Sequence, residues 1–145
     1  MPSISGIFDT RAKQIIIQCG VACSGTVKNW QLKQEDASLH ASFMMYNALI
    51  DTGATGTCIS SKIVNDLNLI HHSMIATATA NGIIDTNIYD VDLTLHFGQQ
   101  VIPVEKLTVT AVNLQTSNFD ILIGMDIILR GHLSLSHDHH FTFSI

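Results

Sequence analysis

The chain has 145 residues, enough for one buried core, and 46% of them are apolar against 13% charged, which excludes a disordered or solvating segment. A net charge of −5, with seven Lys and Arg scattered along the chain, argues against a nucleic-acid partner. No apolar run is long enough to span a bilayer, and Met1 to Gln18 lacks the basic-then-apolar pattern of a signal peptide, so no membrane association is expected.

In chain order, Gln14 to Cys19 reads as a strand, with Gly20 and Ser24-Gly25 marking turns around Val21-Ala22-Cys23. Lys28 to Asp36 is polar around Trp30 and leaves a loop or an edge strand open. Ser38 to Met45 alternates as a strand does, Tyr46-Asn47 suits a hairpin turn, and Ala48 to Asp51 follows as the next strand. After Cys58-Ile59, Ser60 or Ser61 can cap a short helix with Ile63, Val64 and Leu67 on its inner face, ending near Asn68. Met74 to Ala80 and Ile83 to Val91 flank Asn81-Gly82, a strong hairpin signal. Asp92 to Phe97, Val101 to Val104 and Leu107 to Val112 continue as short strands, with Pro103 indicating an edge or a bulge. Asn113 to Asn118 reads as a loop and Ile121 to Ile123 as a buried strand. Asp126 to Arg130 reads as a short helix stopped by Gly131. Leu133 to Ser136 and Phe141 to Ile145 close the chain as a hairpin. The expectation is an all-β, barrel-like fold with two short helices.

Two segments carry chemistry. Ala48-Leu49-Ile50-Asp51-Thr52-Gly53-Ala54-Thr55 is an apolar strand that delivers one carboxylate to the mouth of a small-residue turn. Asp120-Ile121-Leu122-Ile123-Gly124-Met125-Asp126 is a second apolar run that ends in Gly and enters a helix. In this order, with a hairpin between them, these segments resemble those of the retroviral-type aspartic proteases, the retropepsins. Asp120 to His132 is especially similar to the retropepsin domain of eukaryotic ubiquitin-shuttle proteins, and the chain also resembles small bacterial retropepsin-like proteins. The resemblance covers residues 38–145 and leaves 1–37 as an N-terminal extension of uncertain role.

The resemblance implies an aspartic endopeptidase acting on a peptide or protein substrate without a cofactor. Such hydrolysis needs two carboxylates about 3 Å apart sharing one proton, because like charges that close cannot both ionise. This chain has one Asp-Thr-Gly, so Asp51 would meet the Asp51 of a second copy across a two-fold axis. By family analogy Thr52 would lock the two loops together, and Gly53 would permit close approach and donate its N–H to the carboxylate. Ala54 and Thr55 would floor the cleft. Ala80, Asn81, Gly82 and Ile83 would tip a flap over the substrate, and Ile121 and Leu122 would line side-chain pockets. In viral members the N- and C-terminal strands interleave at the dimer base, a role that would fall to Phe141 to Ile145. A module that keeps the fold for binding or dimerisation with little or no peptidase activity stays open as the alternative.

Other constellations read more simply. His137-Asp138-His139-His140 is a solvated turn rather than a metal site, since adjacent turn residues point in different directions. His71-His72 reads as loop, and Asp126 as the N-terminal cap of its helix. Cys19, Cys23 and Cys58 form no even framework, so reduced thiols in a cytoplasmic protein are expected.

Overall fold

A computed structural model describes residues 2–33 and 42–145. In chain order the elements are β1 (Ser3–Ile7), β2 (Ile16–Cys23), α1 (Thr26–Lys33), β3 (Met44–Ile50), β4 (Cys58–Ser60), α2 (Ser61–Asp66), β5 (Ser73–Thr79), β6 (Gly82–Phe97), β7 (Gln100–Val112), β8 (Ile121–Ile123), α3 (Met125–Ile128), β9 (His132–Leu135) and β10 (His140–Ser144). Strands β2-β3-β8-β4-β7-β6 form a ladder that closes where β2 also pairs with β6, giving a six-stranded barrel. Closure removes the free edges that an open sheet would expose. Strand β5 extends the ladder beyond β6, and β1-β10-β9 make a separate three-stranded sheet. The expected all-β barrel is therefore observed, with three short helices among the described residues where two were expected. No helix among the described residues is long and apolar enough to cross a membrane.

The barrel interior is filled by alternate residues of its strands, among them Val21, Ala48, Ile59, Leu93, Leu95 and Ile121, each fully buried. Burying an aliphatic side chain of this size contributes about 1.5–3 kcal/mol. Cys19 belongs to this core, and its burial pushes the thiol far above the usual range. It packs as a small apolar group. The sheet β1-β10-β9 adds Phe141 and Phe143, the latter meeting Phe97 edge to face with ring centroids 5.8 Å apart.

Several local expectations give way to tertiary contacts. Gly20 is no turn but lies within β2, where a side chain would overlap Thr94 Oγ1 and sit 2.8 Å from Phe43 Cβ. Its glycine serves close packing. Thr26–Lys33 is helical where the sequence suggested loop or edge strand; residues 34–36 of that stretch fall outside the described residues. The reason is Asp92, 65 positions on and 1% exposed, whose carboxylate accepts from Val27 N at 2.9 Å at the start of the helix. The same carboxylate accepts from Lys106 N at 2.8 Å, joining the helix to a register shift between Val91 and Leu93 and a bend in β7 where Lys106 has φ 49°. Tyr46-Asn47 likewise makes no turn. Both sit inside β3, Asn47 opposite Gln18, while Tyr46 is buried with its hydroxyl donating to Asp66 Oδ2 at 2.8 Å. Of the strand expected over Ser38 to Met45, residues up to 41 lie outside the described set, and β3 begins at Met44.

The strands expected separately at Asp92, Val101 and Leu107 are parts of β6 and β7, which run unbroken for 16 and 13 residues. Pro103 lies where β7 pairs with β6 alone, since β4 joins β7 only at Thr110–Val112, so the open side needs no N–H there. The segment 1–37 supplies a barrel strand, β2, and an edge strand, β1. Strand β10 has β1 on one side and β9 on the other, both from its own chain. Phe141 to Ile145 therefore has no open side on which to interleave with a partner, contrary to the viral pattern.

Candidate active site

Strand β3 ends at Ile50, and Asp51 N makes one last bond to Ile123 O at 2.9 Å before the chain turns. The turn closes on the carboxylate: Gly53 N donates to Asp51 Oδ1 at 2.8 Å, and Ala54 N donates to Asp51 O at 3.2 Å. Asp51 and Ala54 are half-buried, whereas Thr52, Gly53, Thr55 and Gly56 are exposed. The loop thus presents a carboxylate, one oxygen already satisfied, at an open surface.

The loop is held from behind by the second motif. Met125 N donates to Ala54 O at 2.8 Å, and a Cβ on Gly124 would lie 2.6 Å from the Gly56 carbonyl, so only glycine fits. Thr57, 2% exposed, donates its N–H to Asp126 Oδ2 at 3.0 Å and its hydroxyl to Asp126 Oδ1 at 2.7 Å. Its hydroxyl also accepts from Gly124 N at 3.1 Å. Asp126 Oδ1 further accepts from Ile127 N at 2.9 Å. Asp126 is therefore not the helix cap. Gly124, extended at φ −91° and ψ −176°, occupies that position, and Asp126 acts as the tie between α3 and the Asp51 loop. Nothing in the sequence marked Thr57 or this tie, because the partners stand 69 residues apart.

The hairpin of β5 and early β6 bears the other expected site residues. Its two-residue turn is Ala80-Asn81, one position earlier than Asn81-Gly82, because Gly82 pairs with Thr79. Gly82 takes φ 118°, open to glycine, while Thr79 Oγ1 donates to Gly82 O at 2.8 Å and accepts from Asn81 N at 3.3 Å. Ala80, Asn81, Gly82 and Ile83 are all exposed, and Met74, Ile75, Ile83 and Ile84 leave 44% to 77% of their surface open. An apolar hairpin this exposed is suited to covering something else.

Ile121 does not line a pocket: it is fully buried in the core, as is Ile123. Strand alternation turns Leu122 to the other face, half-buried beside its cross-strand partners Leu49 and Cys58.

His71-His72 is more than loop. His72 Nε2 lies 3.2 Å from Asp90 Oδ1, its Nδ1 3.0 Å from Ser73 Oγ, and Thr108 Oγ1 donates to Asp90 Oδ1 at 2.9 Å. Asp90 thus fastens the root of the hairpin to β7. Asp90→Ala is expected to speed amide exchange over Ser73–Thr79 by roughly two- to fivefold with little change in melting temperature, since exposed pairs contribute at most about 1 kcal/mol. Exchange mass spectrometry of the two proteins checks this.

At the β9–β10 turn, His137, Asp138 and His140 are exposed and His139 takes φ 65°. The Ser136 hydroxyl donates to Asp138, whose carboxylate also lies 3.1 Å from His140 Nδ1. The Ser136 bond first, then His140, holds Asp138 below the usual carboxylate range. Among the described residues no group of three His, Cys, Asp or Glu is placed to hold a metal ion. A polar cleft of about 560 Å³ lies between α2 and the loop at Asn113–Ser117, at the ends of β4 and β8 remote from Asp51.

A closed barrel with a strand-borne Asp-Thr-Gly loop, buttressed by an apolar-apolar-Gly strand, is the retropepsin-like fold. The family model described as "gag-polyprotein putative aspartyl protease" matches residues 43–130, and the chain belongs to that family. Among solved structures, a retropepsin-like aspartic protease from Rickettsia conorii superposes with a TM-score of 0.60 at 12% identity, covering 97% of this chain and 89% of that one. The retroviral protease-like domain of Ddi1 from Leishmania major is also similar, with a TM-score of 0.45, 12% identity, and coverage of 90% and 94%. Comparison with curated proteins gives no match.

Proposed function

We propose that the protein is a homodimeric aspartic endopeptidase in which the Asp51 carboxylates of two copies activate one water. The observation that carries this reading is the Asp51 loop itself: a half-buried carboxylate with the Gly53 N–H on Oδ1, in a chain with a single Asp-Thr-Gly. One carboxylate takes a proton from water as it attacks the peptide carbonyl, and the other, protonated, donates toward the carbonyl oxygen. Thr52 and Gly53, exposed beside Asp51, are available to the partner loop. Ala54 and Thr55 would floor the cleft, and the exposed apolar hairpin around Ala80 to Ile83 would close over the substrate and exclude water. Leu122 and Leu49 offer apolar surface for side chains flanking the cleaved bond. The unpaired thiols of Cys19, Cys23 and Cys58 support a cytoplasmic setting.

The test is sedimentation at micromolar concentration together with hydrolysis of a peptide bearing apolar residues on both sides of the bond, from pH 3 to 9. A dimer is expected, with rates falling on both sides of an acid optimum: with both carboxylates protonated no base remains, and with both charged no acid remains. A protein that is monomeric throughout, or whose rate climbs steadily to pH 9, would refute the shared-proton mechanism.

A further inference from the structure

We infer that the face carrying Asp51 selects a substrate peptide with an uncharged hydrogen-bonding side chain, a hydroxyl or an amide, outside the two positions that flank the cleaved bond. The residues that select it are Thr77 and Thr110, the latter held by Cys58. This rests on the endopeptidase reading above and names the substrate class that serves it.

Strand register places these residues. Leu49 pairs with Leu122, Leu122 with Cys58, Cys58 with Thr110 and Thr110 with Ile88, one row across five strands. Paired residues share a face of the sheet, and alternate residues along a strand take opposite faces. The intervening Ala48, Ile50, Ile59, Val109, Ile121 and Ile123 fill the core, so the row looks out of the barrel. Asp51, two residues past Leu49 and still bonded through its N–H to Ile123 O, shares that outer face. Along β6 the face continues through Thr86 and Ile84 into the hairpin, where Ile84 pairs with Thr77 and Thr86 with Ile75. Thr86 and Ile88 point away from the core yet are only 8% and 9% exposed, so this face is recessed.

Two hydroxyls interrupt the apolar lining. Thr110 Oγ1 lies 3.2 Å from Cys58 Sγ, and both residues are half-buried, open to whatever occupies the recess. Thr77 Oγ1 is buried with no hydrogen-bond partner among the described residues. A buried hydroxyl without a partner is unfavourable, and a ligand group able to donate or accept relieves it. When the hairpin closes over a peptide, Thr77 meets it from one side and the Cys58–Thr110 pair from the other. A hydroxyl donates once and accepts twice, so the matching side chain is Ser, Thr, Asn or Gln. No charged side chain other than Asp51 stands in the row from Leu49 to Ile88 or on this face of the hairpin, so a charged group gains no partner there. Leu49 and Leu122 lie nearest Asp51 and serve the side chains at the bond. Thr110 stands two strands beyond Leu122, about 10 Å at the usual strand spacing, which puts the polar site further along the peptide.

The test scans the apolar-flanked peptide, placing Val, Thr or Asn at each position outside the two at the bond. It compares kcat/KM for the wild type, Thr77→Val and Thr110→Val. Thr and Val have nearly the same shape, so their ratio reports the hydroxyl. In the wild type one position is expected to favour Thr over Val at least about tenfold, because polar groups built into a site reject the analogue that cannot pair with them. Each variant is expected to bring that ratio below about threefold. A variant that only misplaces the hairpin lowers both rates together and leaves the ratio alone. A ratio that survives in both variants therefore overturns the assignment to Thr77 and Thr110. Should one variant fail to fold, the other and the wild-type scan decide. A wild type that cleaves with no position favouring Thr or Asn over Val overturns the polar site and leaves the endopeptidase standing. A wild type that cleaves none of the peptides overturns both.

Discussion

Asp51→Asn is expected to lower peptide hydrolysis at least about 10³-fold without moving the thermal transition or the dimer equilibrium. The substitution keeps the shape of the side chain, and the amide oxygen can still accept from Gly53 N, now at 2.8 Å from Oδ1, so the turn survives. What disappears is the base. Because each dimer carries the residue twice, one substitution removes both carboxylates, and neither water activation nor a shared proton is left. Initial rates on the apolar-flanked peptide, beside melting curves and sedimentation, give the answer. Turnover near the wild-type value would move the chemistry away from Asp51. A wild type that dimerises but cleaves nothing would favour a binding module on the same fold.

The second large effect falls on stability. Asp126→Ala is expected to cost about 3 kcal/mol, roughly 10 °C in melting temperature for a chain of this size, and to depress activity with it. Asp126 accepts three hydrogen bonds, from Thr57 N, Thr57 Oγ1 and Ile127 N. Its loss strands the Thr57 N–H, 2% exposed, where no water replaces the partner. Thr57 is also the anchor for Gly124 N, so the turn from Ala54 to Thr57 loses its hold on α3. Asp126→Asn keeps one acceptor oxygen and should cost about half as much. A helix cap alone would be worth only about 1 kcal/mol. Denaturant melts of both variants separate the two roles, and a loss within 1 kcal/mol for Asp126→Ala would show that the tie does not brace the loop.

Much of the fold was legible because it is written in short-range patterns. Apolar runs ending in Asp51 and in Gly124 marked β3 and β8, Ser60-Ser61 marked the start of α2, where the Oγ of Ser60 accepts from Ile63 N at 3.4 Å, and the turn residues near Asn81 marked the hairpin. The errors share one cause. Gly20 and Tyr46-Asn47 look like turns by composition, yet a closing barrel needs a bare Cα under Phe43 and Thr94 and a long β3 beside β2. Thr26–Lys33 has little helical signal of its own, and a carboxylate in β6 caps its start. Ile121 and Leu122 are equally apolar, and only the sheet tells which one faces the core.

By itself, the sequence determined the barrel class and the single carboxylate at a tight turn, since strand periodicity, turn chemistry and a local motif act over a few residues. The tertiary structure alone decided that Thr57 and Asp126 lock that turn, that Asp90 and His72 root the hairpin, and that β10 is enclosed by its own chain. Each of these depends on groups far apart in sequence meeting in a buried or paired geometry. Such meetings are fixed by register and closure, which no local window of residues contains.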